Sequence, residues 1–150
     1  MTRAIELAVE NVRSGNGGPF GAVVVKENRI IAEGANRVTS TNDPTAHAEI
    51  IAIRTACEKL RAFELRDCEL YTSCEPCPMC LGAIYWARPA RVFFGCFADD
   101  AAKAGFDDSL IYQEILQPHA ERKIPMRQLM RDEALETLRA WERQPHKLPY

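Results

Sequence analysis

The chain has 150 residues, the usual size of one domain, so we expect a single domain over residues 1–150. Hydrophobic residues make up 47% of the chain and charged residues 27%, which is the balance of a soluble globular protein. The net charge is −2, no basic run exceeds two residues, and no apolar run approaches the ~20 residues of a membrane span, which argues against nucleic-acid binding and membrane insertion.

Hydrophobic periodicity and turn residues divide the chain into helices and strands. The spacing of Ala4, Ala8 and Val12 predicts a first helix, and Glu27 with Asn28 marks the turn of a hairpin. In chain order we predict a helix over 2–13, strands over 21–26 and 29–35, a loop over 36–43, a helix over 47–60, a strand over 68–73, a helix over 77–87, a strand over 91–95, a helix over 109–116, an edge strand over 126–130 and a helix over 132–141.

The order of these elements predicts the fold class. Strands alternate with helices from residue 46 onward, which is typical of βαβ units, and the opening hairpin adds an antiparallel strand. We therefore expect a three-layer α/β domain in which a mixed sheet of about five strands carries helices on both faces.

The start of the chain predicts the cellular compartment, and the compartment predicts the state of the cysteines. Charged residues interrupt every apolar stretch near the start of the chain, so we predict no secretory signal and expect a cytoplasmic protein. In that compartment the six cysteines are expected to be metal ligands or buried thiols rather than disulfides.

Two short motifs have the residue types of a metal site: His-x-Glu at 47–49 and Pro-Cys-x-x-Cys at 76–80. An imidazole and two thiolates together suit zinc. Cys77 and Cys80 are three residues apart, so the first turn of a helix places both sulfurs on one side, and its positive end favours thiolates. With His47 they supply three protein ligands, as in catalytic zinc sites, which keep one position for water and lower its pKa to about 7.

Glu49 follows His47 by two residues, a spacing that does not share one face of a regular helix. The two side chains can serve one site only at a helix start, where the first turn can aim both of them. There Glu49 is predicted to move protons between water and the substrate instead of ligating the metal.

Cys74 offers a competing interpretation, because Cys74, Cys77 and Cys80 form the C-x2-C-x2-C run that begins some iron–sulfur sites. Such a run needs another cysteine after three intervening residues, where this chain has Ile84. We therefore interpret Cys74 as a bystander in the loop before the second ligand helix.

The chain resembles the cytidine deaminase superfamily and, within it, the branch of small bacterial guanine deaminases. His-x-Glu followed by Pro-Cys-x-x-Cys is the signature of zinc-dependent nucleobase deaminases. The resemblance covers nearly the whole chain and is carried by GGPFGAV at 17–23, NDPTAHAE at 42–49, YTSCEPCPMCLGAIYWARP at 71–89 and AGFDDS at 104–109.

The resemblance implies a cytidine-deaminase-like fold, one zinc ion per subunit and hydrolysis of guanine to xanthine and ammonia. It assigns Asp108 to reading the N1–H and 2-amino donors of the base, with Asp107 as the second choice. Asn36 is implied as a contact to the purine edge and Phe20 as an aromatic wall. Tyr150 is implied to close over the pocket.

The same resemblance implies a homodimer whose C-terminal segment acts as a lid or is exchanged between subunits. Three alternative functions stay open at this point. The first is a guanosine deaminase or another nucleobase or nucleoside deaminase. The second is a tRNA adenosine deaminase, and the third is a metal-stabilised binding module without catalytic activity.

Overall fold

The structure, a computed structural model, describes residues 1–149, which fall into a first unit over Met1–Asp108 and a second unit that begins at Ser109. The organisation as one domain therefore stays a prediction. Within residues 1–149, every helix is too short or too polar to cross a bilayer.

The first unit contains five helices and four strands. They are α1 (Thr2–Ser14), β1 (Gly21–Lys26), β2 (Arg29–Ala35), α2 (Val38–Thr41), α3 (Ala48–Leu60), β3 (Cys68–Cys74), α4 (Pro78–Ala87), β4 (Arg91–Cys96) and α5 (Ala98–Lys103). The short helices α2 and α5 were not predicted, because fewer than two helical turns leave no readable periodicity.

The sheet is mixed, as expected, and has the strand order β2-β1-β3-β4. β1 pairs antiparallel with β2 and with β3, whereas β3 pairs parallel with β4. The prediction of about five strands is corrected to four among the described residues. The edge strand predicted over 126–130 is wrong, because that segment forms no regular structure and pairs with no strand within residues 1–149.

Two glycines show that helices cover both faces of the sheet. A Cβ on Gly21 would lie 2.3 Å from the Ala4 carbonyl oxygen of α1, and one on Gly34 would lie 2.1 Å from the Ala48 carbonyl oxygen of α3. Gly34 pairs with Ala22, the residue after Gly21, so the two glycines face opposite sides of the sheet. The predicted three-layer α/β arrangement is confirmed.

The main core lies between the sheet and α3. Ala22 and Val24 of β1 and Leu70 of β3 pack there against Ala52 and Ile53 of the helix. This packing holds α3 in place along its length, and α3 begins at the edge of the sheet where β2, β3 and β4 end, since these three strands run in one direction.

The second unit contains α6 (Ser109–Ile115), a 3-10 turn (His119–Glu121) and α7 (Arg131–Glu142). Hydrogen bonds from Arg122 to the carbonyls of Ile115 and Gln117, and from the Lys123 N–H to the Glu114 carboxylate, hold its middle together. No side chain within residues 109–149 is buried, so this unit has no hydrophobic core of its own.

Candidate active site

Two helix starts bring the predicted metal ligands together. His47 has an extended backbone and precedes α3, whose first residue is Ala48. Cys77 likewise precedes α4, and Pro78 occupies the first helical position, where a missing N–H is harmless. Glu49 therefore falls in the first turn of α3, and the two-residue spacing from His47 works because His47 lies outside the helix.

The three ligand atoms have the separations that zinc requires. His47 Nδ1 lies 3.5 Å from Cys77 Sγ and 3.5 Å from Cys80 Sγ. All three atoms lie within 4.8 Å of one another. Zinc bonds of about 2.3 Å to sulfur and 2.05 Å to nitrogen, at the tetrahedral angle, place those atoms about 3.6 Å apart. The group therefore fits a zinc ion and leaves a fourth position for a non-protein ligand.

Protonation in this group favours a thiolate at Cys77. Hydrogen bonds from Cys80 and His47 lower the pKa of the Cys77 thiol to about 4. The same interaction with Cys77, together with burial, raises the pKa of Cys80, and the Cys77 sulfur raises the pKa of His47. Because metal ligands must be deprotonated, zinc and protons compete for Cys80 and His47.

Glu49 is the buried acid beside this group, with only 6% of its surface exposed. Removal from water raises the pKa of its carboxyl, and its side chain hydrogen-bonds to Cys80. The raised pKa makes the carboxyl able to hold a proton nearer neutral pH than an ordinary glutamate does.

A cavity of about 340 Å³ opens onto the metal group. This volume lies near the lower end of the ~300–1,000 Å³ range of small-ligand pockets. Its lining includes seven of the residues predicted from the sequence, namely Phe20, Asn36, His47, Glu49, Cys77, Asp107 and Asp108. Cys80 is fully buried within the metal group, and Tyr150 lies outside the described residues.

The two predicted acids differ in exposure. Asp108 is half-buried and Asp107 is exposed. Burial and the nearby Cys77 sulfur raise the pKa of Asp108. The half-buried carboxylate is the better placed of the two to accept hydrogen bonds from a ligand in a partly dry cavity.

Nine of the sixteen lining residues were not predicted as site residues, and three of these, Phe106, Glu75 and Thr39, have side chains that bear on the cavity. Phe106 contacts Phe20 edge-to-face with ring centroids 4.9 Å apart, and its only sequence signal was its place before the two acids. Glu75 Oε2 accepts a hydrogen bond from the Ala98 N–H at 3.0 Å and so anchors the start of α5, which precedes the acids. Thr39 lines the cavity from α2, a helix with no periodicity to predict it.

Cys74 is not part of the metal group. It is buried at the end of β3, and its thiol points to the Phe97 carbonyl at 3.7 Å. This placement fits the interpretation of Cys74 as a bystander to the metal ligands.

The fold and the three-ligand centre together define a zinc-site α/β protein of the deaminase type. Residues 1–96 match the cytidine and deoxycytidylate deaminase zinc-binding region, and the chain belongs to this family. Family membership and the geometry of His47, Cys77 and Cys80 agree on zinc as the cofactor.

Individual proteins show which deaminases the chain is similar to. The chain is 59% identical to the guanine deaminase of Bacillus subtilis (strain 168), over the whole chain and 96% of that relative. The X-ray structure of the Bacillus subtilis guanine deaminase superposes with a TM-score of 0.97 at 60% identity, covering 99% of this chain and 95% of that one. A tRNA-specific adenosine deaminase of Agrobacterium fabrum is 45% identical over 97 residues, 63% of this chain and 64% of that relative.

Proposed function

We propose that the protein is a zinc-dependent guanine deaminase, which hydrolyses guanine to xanthine and ammonia. The observation that carries the proposal is one cavity that combines a three-ligand metal group, a buried proton carrier and both a carboxylate and an amide. The full-length similarity to a guanine deaminase supports the same choice of substrate.

The cavity offers complementary groups to the edges of guanine. Guanine carries N1–H and 2-amino donors on one edge, which a carboxylate such as Asp108 accepts. Its O6 and N7 are acceptors, which the Asn36 amide can donate to. Phe20 supplies an aromatic face for stacking beside them. Adenine would place an acceptor nitrogen in front of the same carboxylate, so the cavity disfavours it.

A zinc ion held by His47, Cys77 and Cys80 would supply a nucleophile from water at neutral pH. Glu49 is placed to take one proton of the attacking water and deliver it to N3 of the base, which makes C2 more electrophilic. A C2–O bond forms and the bond from C2 to the exocyclic amine breaks. Glu49 takes the remaining proton from the new C2 hydroxyl and passes it to the departing amine, so that guanine and water become xanthine and ammonia. The burial that raises the pKa of Glu49 suits a group that must both gain and release a proton.

The substrate assignment is tested with purified zinc-loaded protein and an ammonia assay. Guanine, guanosine, adenine and cytosine are supplied separately, and we expect turnover of guanine. Turnover of guanosine or cytosine without guanine would refute the assignment. Salt-sensitive binding of tRNA in a gel shift would favour a tRNA adenosine deaminase instead.

The role of Glu49 is tested with Glu49→Gln, which keeps the shape of the side chain and removes its acid–base function. We expect one zinc per chain and a loss of roughly 10²–10⁴-fold in kcat. Glu58→Gln is the matched control, because it is the same change at an exposed position of helix α3 that does not line the cavity. A Glu49→Gln variant with normal turnover would remove Glu49 from this role.

We also propose a homodimer with exchange of the C-terminal segment. Tyr85 and Trp86 of α4 are 75% and 61% exposed, and the second unit carries exposed apolar side chains without a core of its own. Light scattering that finds only monomers at micromolar concentration would contradict the dimer.

We propose a cytoplasmic location as well. All six cysteines are free thiols, which suits that location.

A further inference from the structure

Asn11 is a buried amide on α1 that the sequence reasoning did not select. Its side chain is 6% exposed. Its Nδ2 donates two hydrogen bonds of 2.8 Å, one to the carbonyl of Gly18 and one to the carbonyl of Asn36. Burying an amide is favourable only when its donors are satisfied, so this arrangement fixes two chain segments to α1.

Asn36 is held at several further points. Its N–H donates to the Phe20 carbonyl at 3.0 Å. Its Oδ1 accepts from the N–H groups of Gly18 and Val38, both at 3.2 Å. These two backbone donors therefore fix the orientation of the Asn36 side-chain amide, with its oxygen towards them. One of the donors belongs to Gly18, and Asn11 donates a hydrogen bond to the carbonyl of that same residue.

The other end of the Asn36 amide is free for a ligand. Asn36 is only 6% exposed and lines the cavity, yet its Nδ2 donates to no group within residues 1–149. Among the described residues, no fully buried side-chain nitrogen or oxygen lacks a partner, so this nitrogen is not sealed inside the protein. It is accessible from the cavity and can donate a hydrogen bond to a base bound there.

The hydrogen-bond network of Asn11, Asn36 and Gly18 is tightly packed while the Asn11 amide is in place. A Cβ on Gly17 would lie 2.2 Å from the Asn36 carbonyl oxygen, so the loop at residues 17–18 passes directly against the Asn36 backbone. Removing the Asn11 amide leaves the Gly18 and Asn36 carbonyls facing a gap, and the loop can then shift away from Asn36 Oδ1.

We propose that Asn11 is a positioning residue that orients the Asn36 amide and so sets the affinity for the base. This inference rests on the proposed function and deepens it. Asn11 does not line the cavity and acts only through Asn36 and the loop at Gly18. A purely structural role would lower stability without selectively changing the KM for the base.

The test is a double-mutant cycle on the zinc-loaded enzyme, with Asn11→Ala, Asn36→Ala and the double variant. Asn11→Ala should keep one zinc per chain and raise KM for guanine about tenfold while kcat changes less than about twofold, because the Asn36 contact is remote from the reacting carbon. In the Asn36→Ala background, adding Asn11→Ala should change kcat/KM by less than about twofold.

Asn16→Ala is the matched control, since Asn16 is exposed just beyond the same helix and, within residues 1–149, its side-chain amide bonds only to the Ser14 hydroxyl. It should leave KM unchanged. Additive losses in the cycle, or a fall in kcat and zinc content with an unchanged KM, would overturn the positioning role.

A substrate-free measurement separates this inference from the proposed function. Hydrogen exchange at the Gly18 and Val38 amides should be faster in Asn11→Ala than in wild type and unchanged in Asn16→Ala. Unchanged exchange in Asn11→Ala refutes the inference whatever the activity. If wild type does not turn over guanine but exchange responds as expected, the proposed substrate fails and the network stands, and the cycle is run with the base that is turned over.

Discussion

Gly34→Ala is expected to disrupt the metal site from the back of helix α3. An added Cβ would lie 2.1 Å from the Ala48 carbonyl oxygen and 2.7 Å from the Ala52 nitrogen, both in the backbone of α3. The closest ordinary carbon–oxygen contacts are about 3.3 Å, so the helix and the strand must separate by about 1 Å. His47 immediately precedes this helix. A zinc–nitrogen bond is only about 2 Å long, so the shift is large for a ligand.

Gly34→Ala is expected to lower the free energy of unfolding by roughly 1–3 kcal/mol, which is the usual cost of overpacking. For a chain of this size that lowers Tm by roughly 3–10 °C. We expect the same fall in Tm in chelator-treated protein, because it comes from the contact between helix and strand and not from the metal. Zinc-loaded wild type and variant should also differ in metal affinity, which a competition titration with a chromophoric chelator measures.

Gly82→Ala is the control, because it is the same change inside a helix where a Cβ meets nothing within 4 Å. Alanine should there raise the free energy of unfolding by about 0.5–1 kcal/mol. If Gly34→Ala matches wild type in both Tm and zinc affinity, the close contact between β2 and α3 is refuted as the support of His47.

Three further outcomes are expected. Cys80→Ser should lose zinc, and added zinc should raise the Tm of chelator-stripped wild type but not of the variant, because only a protein that binds the ligand is stabilised by it. Asp108→Asn should keep zinc and raise KM for guanine at least about tenfold, since one of the two acceptor oxygens becomes an NH2 donor that faces a donor of the base, whereas equal kinetics would remove Asp108 from base reading. Arg3→Gln should reduce stability to urea at neutral pH. Arg3 Nε donates to Glu33 at 2.9 Å, and this interaction lowers the pKa of Glu33 below its usual 4.5. The contribution is present above that pH and is lost as pH falls through the lowered pKa. The difference in stability between Arg3→Gln and wild type should therefore shrink as the pH falls below 4.5, and a constant difference would contradict the ion pair.

The predictions that the structure confirmed rest on patterns within short segments of the sequence. α1 and α3 have several turns of apolar periodicity, and Pro78 marks the start of α4. The identity of His47 and of the two cysteines at i and i+3 already limits the metal, because softness and spacing are properties of a short segment.

Contacts between distant segments could not be predicted in the same way. The segment 126–130 has strand-like composition, yet a strand requires a neighbour to share its hydrogen bonds, and this segment pairs with no strand within residues 1–149. Phe106 and Phe20 are 86 positions apart, and their contact depends on where α5 ends.

The amino-acid sequence by itself determined the helices and strands with strong periodicity, the residue types of the metal group and the acid beside it, because these follow from chemistry within a few positions of the chain. Only the tertiary structure decided that the nitrogen and sulfur atoms stand 3.5 Å apart and that Asn11 holds Asn36 from 25 positions away. Such distances result from the packing of α1 and α3 on opposite faces of one sheet, and packing is a property of the whole chain.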